Sequence, residues 1–113
     1  EGMVGIQQFV HIGEHAFVAG GSLVRKNIPP YIKAAREPLS FIGVNSIGLS
    51  RRGFSQDKIQ RIDDIYRTLY VQNANMSVAV KVADVEFPAC DVKDFVLGFI
   101  RKSDKGIVRG PFS

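Results

Sequence analysis

Arg51 and Arg52 stand side by side just ahead of Gly53-Phe54-Ser55. Two adjacent guanidiniums suit phosphate: each offers a planar set of donors and stays charged at cellular pH. The chain as a whole leans the same way. Fifteen Lys and Arg against 11 Asp and Glu give 113 residues a net charge of +4. That balance favours an anionic partner: a nucleotide phosphate, an acidic protein or a nucleic acid. Other chemistry is sparse. His11 and His15 are the two histidines, so a three-histidine zinc site would need a ligand from outside these residues. Cys90 is the single cysteine, which excludes an intrachain disulfide and a four-cysteine zinc site. A reducing, cytoplasmic setting fits that usage. The basic residues are not interleaved with a stacking platform, so nucleic acid fits poorly. The longest apolar run, residues 95–100, falls far short of the ~20 residues that span a bilayer.

The elements that must position the arginines begin with a six-residue rhythm. Ile6, Ile12, Val18 and Val24 recur at intervals of six, and Val10, Ala16, Ser22 and Ile28 follow each of them by four. Such a period matches neither a helix nor a simple strand. It fits a parallel β-helix, in which each hexad is one short strand and three hexads close a coil. Apolar residues point inward and small ones sit near the corners, with Gly2, Gly5, Gly13, Gly20 and Gly21 suited to tight turns. A repeat this short buries nothing alone and needs coils stacked on both sides. Val4 falls on the second position, which places its partner before Glu1. Residues 1–30 are therefore expected to be the terminal coils of a longer solenoid.

Pro29 and Pro30 remove two backbone donors, so the coil ladder is expected to end there. Residues 31–54 read as an irregular or partly extended connection. From 55 to 109 the pattern becomes helical. Ser55 is a good N-cap with Asp57 in the first turn, and Ile59, Ile62, Ile65, Tyr66, Leu69 and Tyr70 share one face. Residues 76–86 read as a second helix despite four valines. Asp91 is expected to cap a third, with Val92, Phe95, Val96, Phe99 and Ile100 on its apolar face. The basic, glycine-bearing end from 104 is expected to be loose, with 110–113 as the tail.

The phrase Gly43-Val44-Asn45-Ser46-Ile47-Gly48-Leu49-Ser50-Arg51-Arg52-Gly53-Phe54-Ser55 resembles the junction of β-helix and helical domain in the acyl-carrier-protein:UDP-N-acetylglucosamine O-acyltransferases, which open lipid A synthesis. The stretch from Gln8-Phe9 to Ile12-Gly13 and the ending 101–109 are similar to the same family. The resemblance covers nearly the whole chain but only the C-terminal part of that enzyme. It implies an acyl transfer in which a histidine base and an oxyanion-binding amide lie upstream, so no catalytic residue is assigned here and this chain alone is expected to be inactive. It also implies no cofactor and no metal.

By resemblance, Arg51, Arg52 and Asn45 hold the nucleotide of UDP-N-acetylglucosamine. Gln8 contacts the sugar nucleotide, and Gln7 lies near donor and sugar where members often carry histidine. Gly20 leaves an acyl-chain groove open for a long 3-hydroxyacyl donor. Ile47 departs from an acidic residue that can bond the ribose. The family implies a homotrimer. It also implies acyl carrier protein as partner, drawn to Lys26, Lys33, Arg36, Lys102, Lys105 and Arg109. His11 reads as a surface or corner histidine, and His15 as a residue at the subunit interface. Two other readings are a zinc carbonic anhydrase of the same coil type, and a non-enzymatic trimerisation or carrier-binding module.

Overall fold

The computed structural model describes residues 4–6, 9–73, 75–104 and 106–111. The chain opens in very short strands joined by corners: β1 (Gly5–Ile6), β2 (Phe17–Val18) and β3 (Leu23–Val24). They pair in parallel with segments one coil further on. Gly5 and Ile6 pair with Leu23 and Val24, three hexads away. Ile12 bridges Ile28, and Phe17–Val18 pair with Lys33–Ala34; both steps are two residues shorter than three hexads. Val24 and Ile28 are fully buried as the rhythm requires. Ile6 and Ile12 are exposed, because their coil has a paired neighbour on one side only among the described residues.

The ladder does not end at the prolines. It continues into β4 (Ile32–Ala35). The N–H of Ile28 bonds the carbonyl of His11 at 2.9 Å, and that of Tyr31 bonds Glu14 at 2.9 Å. Pro29 and Pro30 fill the two places between, at a corner where no donor is needed. Gly13 makes room for them: a Cβ there would lie 2.4 Å from the nitrogen of Pro30.

The connection is also more ordered than its composition suggests. β5 (Ser40–Val44) pairs antiparallel with β4, giving a β2-β4-β5 sheet. Ile32 and Ala34 face the core while Lys33 and Ala35 are half-buried, the alternation of a strand with one covered face. A short helix, α1 (Ser46–Arg51), follows at once. The described residues therefore form four helices, where the sequence pattern suggests three.

The three expected helices are α2 (Gln56–Tyr70), α3 (Met76–Glu86) and α4 (Asp91–Arg101). Ser55 caps α2, accepting from the N–H of Lys58, and Asn75 caps α3, accepting from the N–H of Val78. Asp91 does not cap α4. Cys90 holds the extended N-cap backbone, and Asp91 is the first helical residue, accepting from the N–H of Val92. Lys93 is buried and donates to the carbonyls of Asp84 and Phe87, both at 2.7 Å. It thereby satisfies the C-terminal end of α3. The hydrogen bond from Lys93, helped by Arg101, holds the Asp84 carboxyl below the usual carboxylate range.

The core lies between the β4–β5 sheet and α2. Phe41 stacks on Tyr70 at 4.3 Å and on Tyr66 at 5.7 Å. Both hydroxyls find carbonyls at 2.7 Å, Tyr66 at Pro30 and Tyr70 at Val108. Burial raises the pKa of each phenol. Residues 106–109 are not loose. Asn27 donates to the carbonyl of Gly106 and accepts from the N–H of Val108, and Phe41 donates to Arg109. These last residues fill an edge of backbone groups that would otherwise be unpaired and partly buried.

Candidate functional site

Coil, hairpin and helices meet at one corner stack. His15 and Tyr31 both hold left-handed backbone, with φ of 62° and 74°. Tyr31 follows His15 by the same step that relates Ile28 to Ile12 and Lys33 to Phe17. The two residues therefore occupy corresponding corners of successive coils. Their rings lie parallel, 5.9 Å between centroids and 7° between planes. Phe54 sets its edge against both rings, at 5.1 and 5.9 Å, and Phe95 does so to Tyr31 at 5.8 Å. Lys58 closes the stack with its ammonium 5.0 Å from the Phe54 centroid and 3.4 Å from the Asp91 carboxylate. The N–H of Val92, then Lys58, hold Asp91 below the usual carboxylate range. Burial, then the charges of Asp91 and Glu14, raise the pKa of Tyr31.

Asn45 reads both corners at once. Its backbone N–H donates to the carbonyl of Tyr31 at 2.7 Å, and its Nδ2 donates to the carbonyl of His15 at 3.0 Å. The residue is 8% exposed. It also stands at the N-cap of α1, so the helix starts from a fixed point. Leu49 anchors the other side of α1 with full burial. Arg51 and Arg52 leave the far end, where the N–H groups of Arg52, Gly53 and Phe54 close back on Gly48, Ser50 and Leu49. Gly53 takes the left-handed conformation there, as the end of a helix commonly demands. Both arginines are exposed, and neither side chain forms a hydrogen bond or ion pair with a described residue.

The structure brings Asn45, Arg51 and Arg52 onto one short, anchored helix. Ile47 is exposed on the same helix. Gly20 lies apart, in the exposed corner between β2 and β3. Gln7 and Gln8 lie outside the described residues, as does Lys105. Arg25, Lys26 and Arg109 share a groove of about 430 Å³ beside Leu23, Pro38 and Leu39. A larger cleft, about 1160 Å³, lies between the end of α2, α3, α4 and residues 106–110; it includes none of Asn45, Arg51 and Arg52. Among the described residues no three His, Cys, Asp or Glu side chains come together as a metal site, and no helix is long and apolar enough to cross a membrane. Nothing in the residues next to His15 marks it for this corner. Its ring is held inside the chain by Tyr31 and Phe54, and the repeat step from His15 to Tyr31 was the available signal.

A ladder of short parallel strands, passing through an anchored basic helix into a helical cap, is the architecture of the C-terminal part of sugar-nucleotide acyltransferases. The solved UDP-N-acetylglucosamine acyltransferase of Bacteroides fragilis superimposes with a TM-score of 0.89 at 42% identity, over 94% of this chain and 42% of that one. The enzyme of Francisella novicida does so with a TM-score of 0.83 at 34% identity, over 96% of this chain and 40% of that one. The chain belongs to the UDP N-acetylglucosamine O-acyltransferase family, whose domain 2 model matches residues 27–108. The acyl-[acyl-carrier-protein]–UDP-N-acetylglucosamine O-acyltransferase of Myxococcus xanthus is 32% identical over 108 residues, 96% of this chain. That of Paracidovorax citrulli is 38% identical over 110 residues, 93% of this chain. The chain spans 42% of the length of each of these two relatives.

The anchoring of Asn45 can be tested at Gly48. A Cβ on residue 48 would lie 2.5 Å from Nδ2 of Asn45 and 2.9 Å from its Cγ. Helix propensity alone would make Gly48→Ala stabilising by about 1 kcal/mol. Displacing the buried amide from the His15 carbonyl costs about 1–3 kcal/mol. Urea unfolding of Gly48→Ala should therefore show net destabilisation; a gain in stability would mean that the amide moves freely.

Proposed function

We propose that this chain is the C-terminal portion of an acyltransferase that moves a 3-hydroxyacyl chain from acyl carrier protein to the 3-hydroxyl of UDP-N-acetylglucosamine in lipid A synthesis. Its short strands are the last coils of a left-handed β-helix and its four helices form the cap. In the reaction the sugar hydroxyl oxygen attacks the thioester carbonyl. A C–O bond forms, the C–S bond breaks, the hydroxyl proton passes to a base and the carrier thiol leaves. The base and the oxyanion-binding amide belong to coils upstream of these residues. The part played here is binding and orientation.

The observation that carries this reading is the pair of exposed guanidiniums, without partners among the described residues, on a helix fixed at its start. Arg51 and Arg52 present charge-assisted donors to the diphosphate at little cost in ordering, because α1 is already held. The Nδ2 of Asn45 gives one N–H to His15, which leaves its second N–H and its Oδ1 for the nucleotide contact. Gln7 and Gln8, outside the described residues, are assigned to the sugar and donor by the family resemblance alone. Exposed Phe17, Leu23 and Ile42 fit a homotrimer with sites between β-helices. Sedimentation equilibrium of the complete protein should give three copies; a stable monomer would count against the assembly. Lys26 and Arg109 in the groove beside Leu23 are offered to the acidic carrier protein, with the charge of Arg25 there partly offset by its ion pair to Glu37 at 3.5 Å.

Arg51→Ala in the complete enzyme should raise the Michaelis constant for the UDP-sugar by the equivalent of about 1.5–3 kcal/mol. Arg51→Lys should recover only part, since an ammonium lacks the planar fork. Unchanged constants and turnover in Arg51→Ala would remove the nucleotide role. Gly20 supplies a separate test of the acyl groove. Each buried methylene contributes about 0.8 kcal/mol, so a side chain that displaces four costs ~3 kcal/mol. Gly20→Met should prefer a shorter 3-hydroxyacyl donor by roughly a hundredfold in relative rate, with UDP-sugar constants barely moved. Equal losses on long and short donors would make Gly20 a corner residue only.

A further inference from the structure

His15 is tied to the nucleotide helix by two independent routes. Through the backbone, its left-handed φ of 62° turns the carbonyl towards Asn45, where it accepts from Nδ2 at 3.0 Å. Through the side chain, its imidazole stacks on Tyr31 and receives the edge of Phe54 at 5.1 Å. Phe54 lies two residues beyond Arg52, and its N–H closes on Leu49 of the same helix. The two routes thus grip α1 at both ends: Asn45 before it and Phe54 after it. Tyr31 repeats the arrangement one coil on, with its carbonyl at the Asn45 N–H and its ring against Phe54.

We propose that His15 is a positioning residue for the nucleotide site, acting through Asn45 and Phe54 to set the direction in which Arg51 and Arg52 leave α1. This rests on the nucleotide reading given above and adds a residue that touches no substrate. The physical argument is one of leverage. An exposed arginine pair binds a diphosphate well only if the helix that carries it is held, and the exposed face of α1 offers nothing to hold it. Leu49 fixes the position of α1 against the core, but one apolar contact does not fix rotation about the helix axis. A ring wedged beside Phe54, together with an amide pinned at Asn45, supplies the second and third points of contact. The aromatic character of His15 is what the mechanism needs. Its protonation is not part of it.

The substitution that isolates the ring is His15→Asn, because asparagine tolerates the left-handed backbone and so keeps the carbonyl in place. His15→Phe is the conservative partner that keeps a ring in the stack. In the complete enzyme, His15→Asn should raise the Michaelis constant for the UDP-sugar about three- to tenfold, the size of one lost aromatic contact. Turnover and the constant for the acyl donor should stay within about twofold, and His15→Phe should restore the UDP-sugar constant. A merely structural residue would lower stability without separating the two substrates. Arg51→Ala run alongside separates the failures. If Arg51→Ala weakens the UDP-sugar and a folded His15→Asn does not, the positioning role is overturned. If neither weakens it, the nucleotide reading falls and this inference with it. Should His15→Asn fail to fold, Phe54→Leu removes the other half of the same contact, and an unchanged UDP-sugar constant there overturns the proposal equally.

Discussion

Two backbone carbonyls, turned outward at successive corners by left-handed residues, need donors, and one asparagine supplies both. Asn45 gives its N–H to Tyr31 and its Nδ2 to His15. A buried carbonyl without a partner costs as much as a lost hydrogen bond, and an amide inserted between two of them is correspondingly hard to replace. Aspartate lacks the second donor and serine is too short to span the gap. Because this residue also starts α1, the corner geometry of the coils is transmitted directly to the helix that carries Arg51 and Arg52. Gly48 follows from the same demand, since the Asn45 side chain fills the space a Cβ would need.

Below that junction the tyrosines do comparable work inside the core. Tyr66 and Tyr70 stand one helical turn apart on α2, stack with Phe41, and reach out to Pro30 and to Val108. Burial keeps both phenols protonated throughout the physiological range, so each remains a donor. Each ring joins a large buried apolar area to one polar tip that finds a specific carbonyl. Through them α2 is fastened to the exit of the coils on one side and to the closing residues on the other.

Much of this was legible in the residues. Ser55, Asp57 and the period of Ile59, Ile62 and Leu69 mark α2, and the helix from 76 to 86 survives its valines because Asn75 caps it and Ala79, Val80 and Ala83 pack inward. The parallel coil pairing follows from the hexads, and the arginine pair lies exposed at the end of α1. What local patterns missed depends on distant partners. Pro29 and Pro30 look like a stop until the donors on either side are seen to be the ones the ladder uses. The hairpin of β4 and β5 is hidden by its brevity. The tail from Gly106 has the composition of a loose end, and only the unpaired edge at Asn27 and Phe41 gives it a place. His15 looked like an isolated histidine because its role comes from Tyr31, one coil away, and from Phe54 beyond the next helix.

The docking of that tail has a consequence for the order in which the molecule can be completed. Residues 106–109 bond Asn27 and Phe41, so a stretch synthesised after the helices closes an edge laid down before them. Contacts so far apart in sequence carry a large loop-closure entropy and form late. During synthesis the backbone of Asn27 cannot have its native partners until all four helices have left the ribosome. The exit from the coils therefore stays open, in the nascent chain, until the cap that follows it is whole. Repeat and cap are separate architectures in the finished fold, but they are joined in time as a single act of assembly.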